Sequence, residues 1–191
     1  MSGLTTVSTF LISSLFGLVT FILWLRFGLR YFRISPLHPI RQTVQRLTDP
    51  IFNPIQKVLQ IRASAFQRYD WICLGVLIGV EWFKFLLLST MYFGHTRIWL
   101  VTGAYTFADL IIQPCNLLFY ALLIRVIMSW VNPQWQHPFI TLLYGVTEPL
   151  LQSLRKYLPL MIAGLDFSPF ILMILLRALA LFVGASLPFQ F

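Results

Sequence analysis

Charged side chains inside long apolar stretches are the part of this sequence that could do chemistry. Glu81 and Lys84 lie one helical turn apart in one stretch, and Arg177 lies in another. An unpaired charge at the centre of a bilayer is costly, so such groups are usually paired or line a polar path. Glu81 and Arg177 each lie about 15 Å along their stretch. We therefore expect Glu81 to pair with Arg177, with Lys84 as a competing partner.

A second polar feature interrupts the third apolar stretch, which also contains Arg125. Asp109, Gln113, Asn116 and Tyr120 follow one another at a spacing that keeps all four on one face of a helix. Two interpretations stay open. The seam forms hydrogen bonds between helices, which we favour, or it lines a hydrated pore or substrate path.

The sequence lacks the motifs of the common enzyme classes. It has no glycine-rich phosphate loop, no H-E-x-x-H pattern and no Ser, His and acid set that the sequence brings together. His38 and His137 each precede a proline and could in principle bind a metal or a haem iron, but turn residues are the simpler reading. We therefore expect no enzymatic activity, no metal and no cofactor.

Composition and length specify the elements that must hold these groups. With 58% hydrophobic and 10% charged residues among 191, the chain has more apolar surface than a soluble fold of this size buries. Its net charge of +8 fits the basic loops of a membrane protein better than nucleic-acid binding. The sequence predicts an all-α membrane protein with four transmembrane helices, at about residues 4–25, 71–93, 104–130 and 167–189.

Basic residues are distributed unevenly between the connections. Eight Lys and Arg lie from Arg26 to Asp70 and two lie at Arg155 and Lys156, whereas the loop after the second stretch holds only Arg97. Such short basic loops usually face the cytoplasm. We expect a multi-pass membrane protein with both termini on the side opposite the cytoplasm.

The two halves of the chain repeat each other. A shift of 99 residues places Arg26 on Arg125, Thr48-Asp49-Pro50 on Thr147-Glu148-Pro149, and Lys57 on Lys156, and a shift of 96 places Asp70 on Asp166. The pattern predicts two parallel two-helix repeats, at residues 1–103 and 104–191, related by a pseudo-two-fold axis along the membrane normal.

Each repeat has an amphipathic connection, at about residues 38–62 and 137–159, where apolar residues recur at helical spacing. Thr48 and Thr147 resemble helix N-caps, because an acidic residue and a proline follow each of them. A helix in the headgroup layer could hold anionic lipid, or its surface could bind a protein partner.

The second connection carries a motif with specific order and spacing. Its residues are Thr147, Glu148, Pro149, Arg155, Lys156, Pro159, Gly164, Asp166, Ser168 and Pro169. This arrangement resembles the signature of the YggT family of bacterial and plastid membrane proteins, which carries two copies of the unit. The resemblance implies a location in the bacterial inner membrane, with both termini periplasmic. It also implies links to osmotic or potassium stress, cell division or cytochrome maturation, without an agreed biochemical activity.

Two functions are compatible with these features. The first is a non-catalytic scaffold or assembly factor that docks partners or anionic lipid on its basic cytoplasmic helices, acting as a homo-oligomer or with other proteins. The second is a small oligomeric ion channel or transporter. We favour the scaffold, because four helices enclose little space for a pore.

Overall fold

The computed structural model describes residues 3–59, 70–93, 98–131, 137–157, 161–162 and 165–187. The elements are α1 (Gly3–Tyr31), α2 (Pro39–Leu59), α3 (Trp71–Phe93), α4 (Ile98–Val131), α5 (Pro138–Tyr157), β1 (Met161–Ile162), β2 (Leu165–Asp166) and α6 (Ser168–Ala185). The two strands are two residues each and pair antiparallel ahead of α6. The predicted helical fold is confirmed.

Four helices are long and apolar enough to cross a membrane, as predicted. Their apolar segments are Thr6–Tyr31, Trp71–Thr90, Thr102–Val131 and Ser168–Ala185. The first helix extends beyond its predicted end at Leu25, because Arg26 and Arg30 remain helical and find acidic partners instead of emerging into water. The helix ends at Tyr31, and Arg33, two residues later, adopts the left-handed conformation, with φ 55°.

The connections contain the expected amphipathic helices, α2 and α5, which we call the platform. Both begin at their first proline, so the predicted N-caps at Thr48 and Thr147 are wrong. Each hydroxyl instead donates to a carbonyl one turn earlier within a continuous helix, at 2.8 Å for Thr48 and 2.6 Å for Thr147. The apolar spacing that continues through each threonine keeps the helix intact across the capping-like triplet.

Pro50 and Pro149 therefore lie inside helices and not in first turns. A proline in a helix interior removes one backbone hydrogen bond and generally costs about 3 kcal/mol. Both prolines are exposed, so their rings do not displace side chains packed in the bundle. That position explains how the platform helices tolerate them.

The membrane-length helices pack in the order α1, α3, α4, α6, and α4 makes its most extensive contacts with α6 and then α3. Near the platform, Leu23, Phe52 and Leu77 join α1, α2 and α3, while Leu122 and Leu151 pack with α6. A third cluster, Leu29, Val44, Leu142 and Val146, joins α2 to α5. Within α4, Pro114 interrupts the hydrogen-bond ladder. The repeat relation and its pseudo-two-fold axis stay predictions.

Candidate functional site

A charged layer of four side chains joins α3 to α4 inside the apolar part of the bundle. Lys84 Nζ lies 2.5 Å from a carboxylate oxygen of Glu81 and 2.5 Å from one of Asp109. Gln113 donates to Asp109 at 3.1 Å and also to Glu81. Glu81 is completely buried, so the ammonium group and the amide replace the water that its carboxylate loses.

The expected pair of Glu81 with Arg177 is wrong, and the competing partner Lys84 takes its place. Arg177 instead donates to the amide oxygen of Asn116 at 3.1 Å. Lys84 follows Glu81 by one turn on the same helix, so it reaches the carboxylate without bridging two helices. Equal depth in the bundle does not place two side chains on facing sides of their helices.

The polar seam of α4 divides between two neighbours. Asp109 and Gln113 bond to α3, whereas Asn116 bonds to α6 and Tyr120 is 57% exposed. These bonds match the interpretation of the seam as a hydrogen-bonded helix interface. Between this layer and the platform lie the apolar clusters around Leu77 and Leu122, which separate the charged groups from that end of the bundle.

An arginine clamp holds each platform helix to the preceding membrane-length helix. In the first clamp, Arg26 donates to Thr48 and lies 3.0 Å from an oxygen of Asp49. Its guanidinium also lies over the ring of Phe52, 4.1 Å from the centroid. Arg30, one turn further along α1, pairs with Asp70 at 2.6 Å.

The second clamp uses the positions equivalent to the first. Arg125 donates to the hydroxyl of Thr147 at 2.7 Å and to Glu148 at 2.5 Å, and it lies over the ring of Tyr144. Such charge-assisted, nearly buried hydrogen bonds are the stronger kind in proteins. The clamp therefore gives the repeated triplet a role in tertiary structure that replaces the predicted cap. Arg155 extends it by bonding both Glu148 and Asp166.

Asp70 and Asp166 lie just before the helices that follow the platform, and each bonds to a backbone N–H there. Asp70 accepts from Cys73 at 3.1 Å and Asp166 accepts from Ser168 at 2.9 Å. Their arginine partners differ, since Arg30 comes from α1 and Arg155 from the platform. Arg30 is not among the residues predicted from the sequence, although its position one turn after Arg26 is a usable signal.

The remaining predicted residues have simpler environments. Lys57 and Lys156 are exposed, Ser168 is buried and Pro169 lies in the first turn of α6. Pro159 and Gly164 lie outside the described residues, as do the predicted ends of the two amphipathic connections.

His38 and His137, the two histidines that precede prolines, have structural contacts next to the platform helices. His38 is 3.1 Å from the carbonyl of Pro138 in the other platform helix, and His137 accepts from the N–H of Phe139 at the start of α5. In the ranges that the structure covers, no group of three His, Cys, Asp or Glu side chains could hold a metal ion.

We expect the second clamp to make stability depend on pH. Burial alone would raise the pKa of Glu148 and of Asp166, but hydrogen bonds and the arginine charges outweigh it and lower both values below 4.5 and 3.8, respectively. Carboxyls with a lowered folded-state pKa stabilise the protein above their unfolded values, and this stabilisation is lost as pH falls through the folded values.

The melting temperature in detergent should therefore drop below about pH 4. It should drop less steeply for Arg155→Gln, because that variant has already lost a partner of both carboxyls. Thermal unfolding followed by intrinsic fluorescence between pH 6 and pH 3 measures this. If the melting temperature falls equally with pH in wild type and in Arg155→Gln, the second clamp is not the source of the pH dependence.

Comparison with known proteins gives consistent matches. The family model described as CCB3/YggT matches residues 5–91 and 104–187. The chain is 32% identical to a protein of Escherichia coli named "Uncharacterized protein YggT", over 94% of this chain and 90% of that one. It is 29% identical to "Uncharacterized protein PA0392" of Pseudomonas aeruginosa, over 96% and 91%. No solved structure matches the chain.

Proposed function

The chain belongs to the CCB3/YggT family, and from this membership and the charges of the platform we propose that it is a non-catalytic membrane scaffold. In this proposal the platform faces the cytoplasm of a bacterium and docks an acidic segment of a partner protein. The resemblance links the family to stress tolerance, cell division and cytochrome maturation. Docking of a partner protein would be useful in each of these processes.

The observation that carries the proposal is the way the acidic residues are used. All six carboxylates form ion pairs inside the molecule: Asp49, Asp70, Glu81, Asp109, Glu148 and Asp166. Arg46, Lys57 and Lys156 are exposed on the platform, and no described carboxylate pairs with them. Asp49 and Glu148 are partly exposed on the platform but are paired with arginines, so the unpaired exposed charges among its described residues are positive. Such charges attract acidic partners over a distance of about 8 Å at physiological salt.

The faces of α2 favour a protein over lipid as the occupant. Val44 and Phe52 are buried against the bundle, and Leu47 and Ile51 form an exposed apolar edge that suits the lipid boundary. Arg46, Asn53 and Lys57 lie on the other exposed edge, which consequently points away from the hydrocarbon. A partner in the aqueous phase can reach these groups directly.

The platform is also suited to docking because it is held in one position. The clamps tie both helices to the bundle, and the contact between His38 and Pro138 joins the helices to each other. A surface that does not need to be ordered on binding loses less free energy when a partner attaches.

The proposal is tested by placing a photo-crosslinking amino acid at Asn53 in living cells. We expect an adduct with an acidic protein that decreases about tenfold when Arg46, Lys57 and Lys156 are all changed to Gln, because each exposed charge pair contributes up to about 1 kcal/mol. The matched control, Arg46→Lys with Lys57→Arg and Lys156→Arg, should retain the adduct. An adduct that survives neutralisation, or adducts with lipid only, would contradict docking of a protein.

The alternative is an ion channel formed by several copies, and the charged layer is the observation that favours it. The apolar clusters between that layer and the platform argue against a path through one chain. A saturable potassium flux through purified protein in liposomes, abolished by Asp109→Ala, would support the channel over the scaffold.

A further inference from the structure

A cleft of about 760 Å³ opens beside the charged layer, on the side away from the platform. Its walls come from α1, α3, α4 and α6, and within the described ranges α1 and α6 make no extended contact that would close it. Apolar side chains, including Leu88, Ile112 and Leu181, line most of it. Both its size and its mixed lining are typical of sites for small ligands.

The polar groups of the cleft are arranged with opposite charges on opposite walls. On α3 and α4, Lys84 is shared between Glu81 and Asp109, so this wall carries one excess negative charge when all three are ionised. On α6, Arg177 is exposed, and among described residues its hydrogen-bond partner is the neutral amide of Asn116. The wall formed by α6 therefore carries one excess positive charge.

The unused hydrogen-bonding groups on the two walls support the same assignment of a negative and a positive side. A guanidinium has five N–H donors, and Arg177 uses one on Asn116, which leaves donors for an oxyanion in the cleft. Asp109 is 24% exposed and receives both of its described bonds, from Lys84 and Gln113, on one carboxylate oxygen. The other oxygen can accept from an ammonium group.

We propose that this cleft binds a zwitterionic amphiphile, a lipid whose head group has both a phosphate and a primary ammonium. The phosphate lies at Arg177, the ammonium lies at Asp109, and a hydrocarbon chain follows the apolar wall along Leu181. Neutrality selects this class. With Glu81, Lys84, Asp109 and Arg177 all ionised, the charges of the cleft and of the layer behind it sum to zero, and a purely anionic ligand would add an uncompensated charge in a medium of low dielectric.

The inference is independent of docking on the platform, and it is tested by the lipids that the protein retains. The purified protein is reconstituted in nanodiscs that contain equal amounts of phosphatidylethanolamine, phosphatidylcholine and phosphatidylglycerol with matched acyl chains. It is then released from the nanodiscs in the mass spectrometer, and the lipids that stay bound are identified by native mass spectrometry. Wild type should retain one phosphatidylethanolamine about tenfold over phosphatidylcholine, which offers no ammonium N–H.

Variants assign the two ends of the head group. Arg177→Gln should reduce retention of phosphatidylethanolamine about tenfold, and Asp109→Asn should remove the preference over phosphatidylcholine. Ser13→Trp, which fills the cleft from α1 without altering any charge, should remove retention altogether. Arg46→Gln on the platform is the control and should behave as wild type.

The proposal is overturned if Arg177→Gln and Ser13→Trp, each shown to be folded by an unchanged melting temperature, retain phosphatidylethanolamine as wild type does. A preference for phosphatidylglycerol would also overturn it, because neutrality would then not select the ligand. Retention of soluble phosphoethanolamine as tight as that of phosphatidylethanolamine would also overturn it, because the apolar wall would then contribute nothing and the ligand would not be a lipid.

Discussion

Replacing Lys84 by Met should destabilise this protein more than any other single change of a charged residue. The substitution removes the one cation that contacts both Glu81 and Asp109, so two carboxylates are left in the apolar part of the bundle without their counter-ion. Breaking a buried pair in this way costs about 3–5 kcal/mol, which corresponds to a loss of roughly 10 °C or more in melting temperature.

Removing one of the carboxylates instead, with Glu81→Gln, should lower the melting temperature much less than Lys84→Met does. It leaves Lys84 paired with Asp109 alone, a neutral arrangement, and the new amide can still bond to Gln113. The triple variant Glu81→Gln, Lys84→Met, Asp109→Asn carries no charge in the layer, and it should recover most of the stability that Lys84→Met loses.

These variants are compared by yield of monodisperse protein and by thermal unfolding in one detergent. If Glu81→Gln lowers the yield and the melting temperature as much as Lys84→Met does, charge balance in the layer does not explain the stability. A triple variant no better than Lys84→Met would instead point to packing of the lysine chain as the dominant contribution.

Arg125→Gln should release one platform helix and leave the other in place. The substitution removes the donors to Thr147 and Glu148 together with the stacking on Tyr144, so α5 loses its main polar attachment to α4. Hydrogen bonds to a charged group contribute about 1.5–3 kcal/mol, and we expect the melting temperature to fall by roughly 5–10 °C.

Hydrogen exchange separates this effect from general loosening. Amides of residues 138–157 should exchange faster in Arg125→Gln, while those of residues 39–59 keep the rate of wild type, because Arg26 still holds α2. Arg46→Gln, an exposed change on the platform, is the matched control and should alter neither segment. Equal acceleration in both helices would mean that the clamps do not act independently.

Much of the fold could be predicted because it depends on properties that act along the chain. The length of an apolar stretch specifies a membrane crossing, and the spacing of Ile40, Val44, Leu47 and Ile51 specifies an amphipathic helix. The errors at Thr48 and Thr147 arose because a threonine followed by an acid and a proline has the local chemistry of a helix start. The same hydroxyl and acid serve an arginine more than 20 residues away in each clamp.

The partners inside the bundle could not be predicted in the same way. Sequence gives the depth of Glu81 and Arg177, but pairing also depends on how each helix is rotated about its axis, which packing with neighbours decides. The cleft was even harder to predict from the sequence. It lies where α1 and α6 make no extended contact, and no residue pattern specifies the distance between two helices.

The proline within α4 gives this helix uneven mechanical properties. Pro114 has no N–H to bond the carbonyl of Leu110, so bending stiffness is lowest beside Gln113, at the level of the charged layer. On one side of this point α4 carries Tyr105 and Asp109, which line the cleft, and on the other it carries Arg125, which holds α5. We therefore expect α4 to bend more easily at the proline than elsewhere, which would change the width of the cleft more than the position of the clamped half.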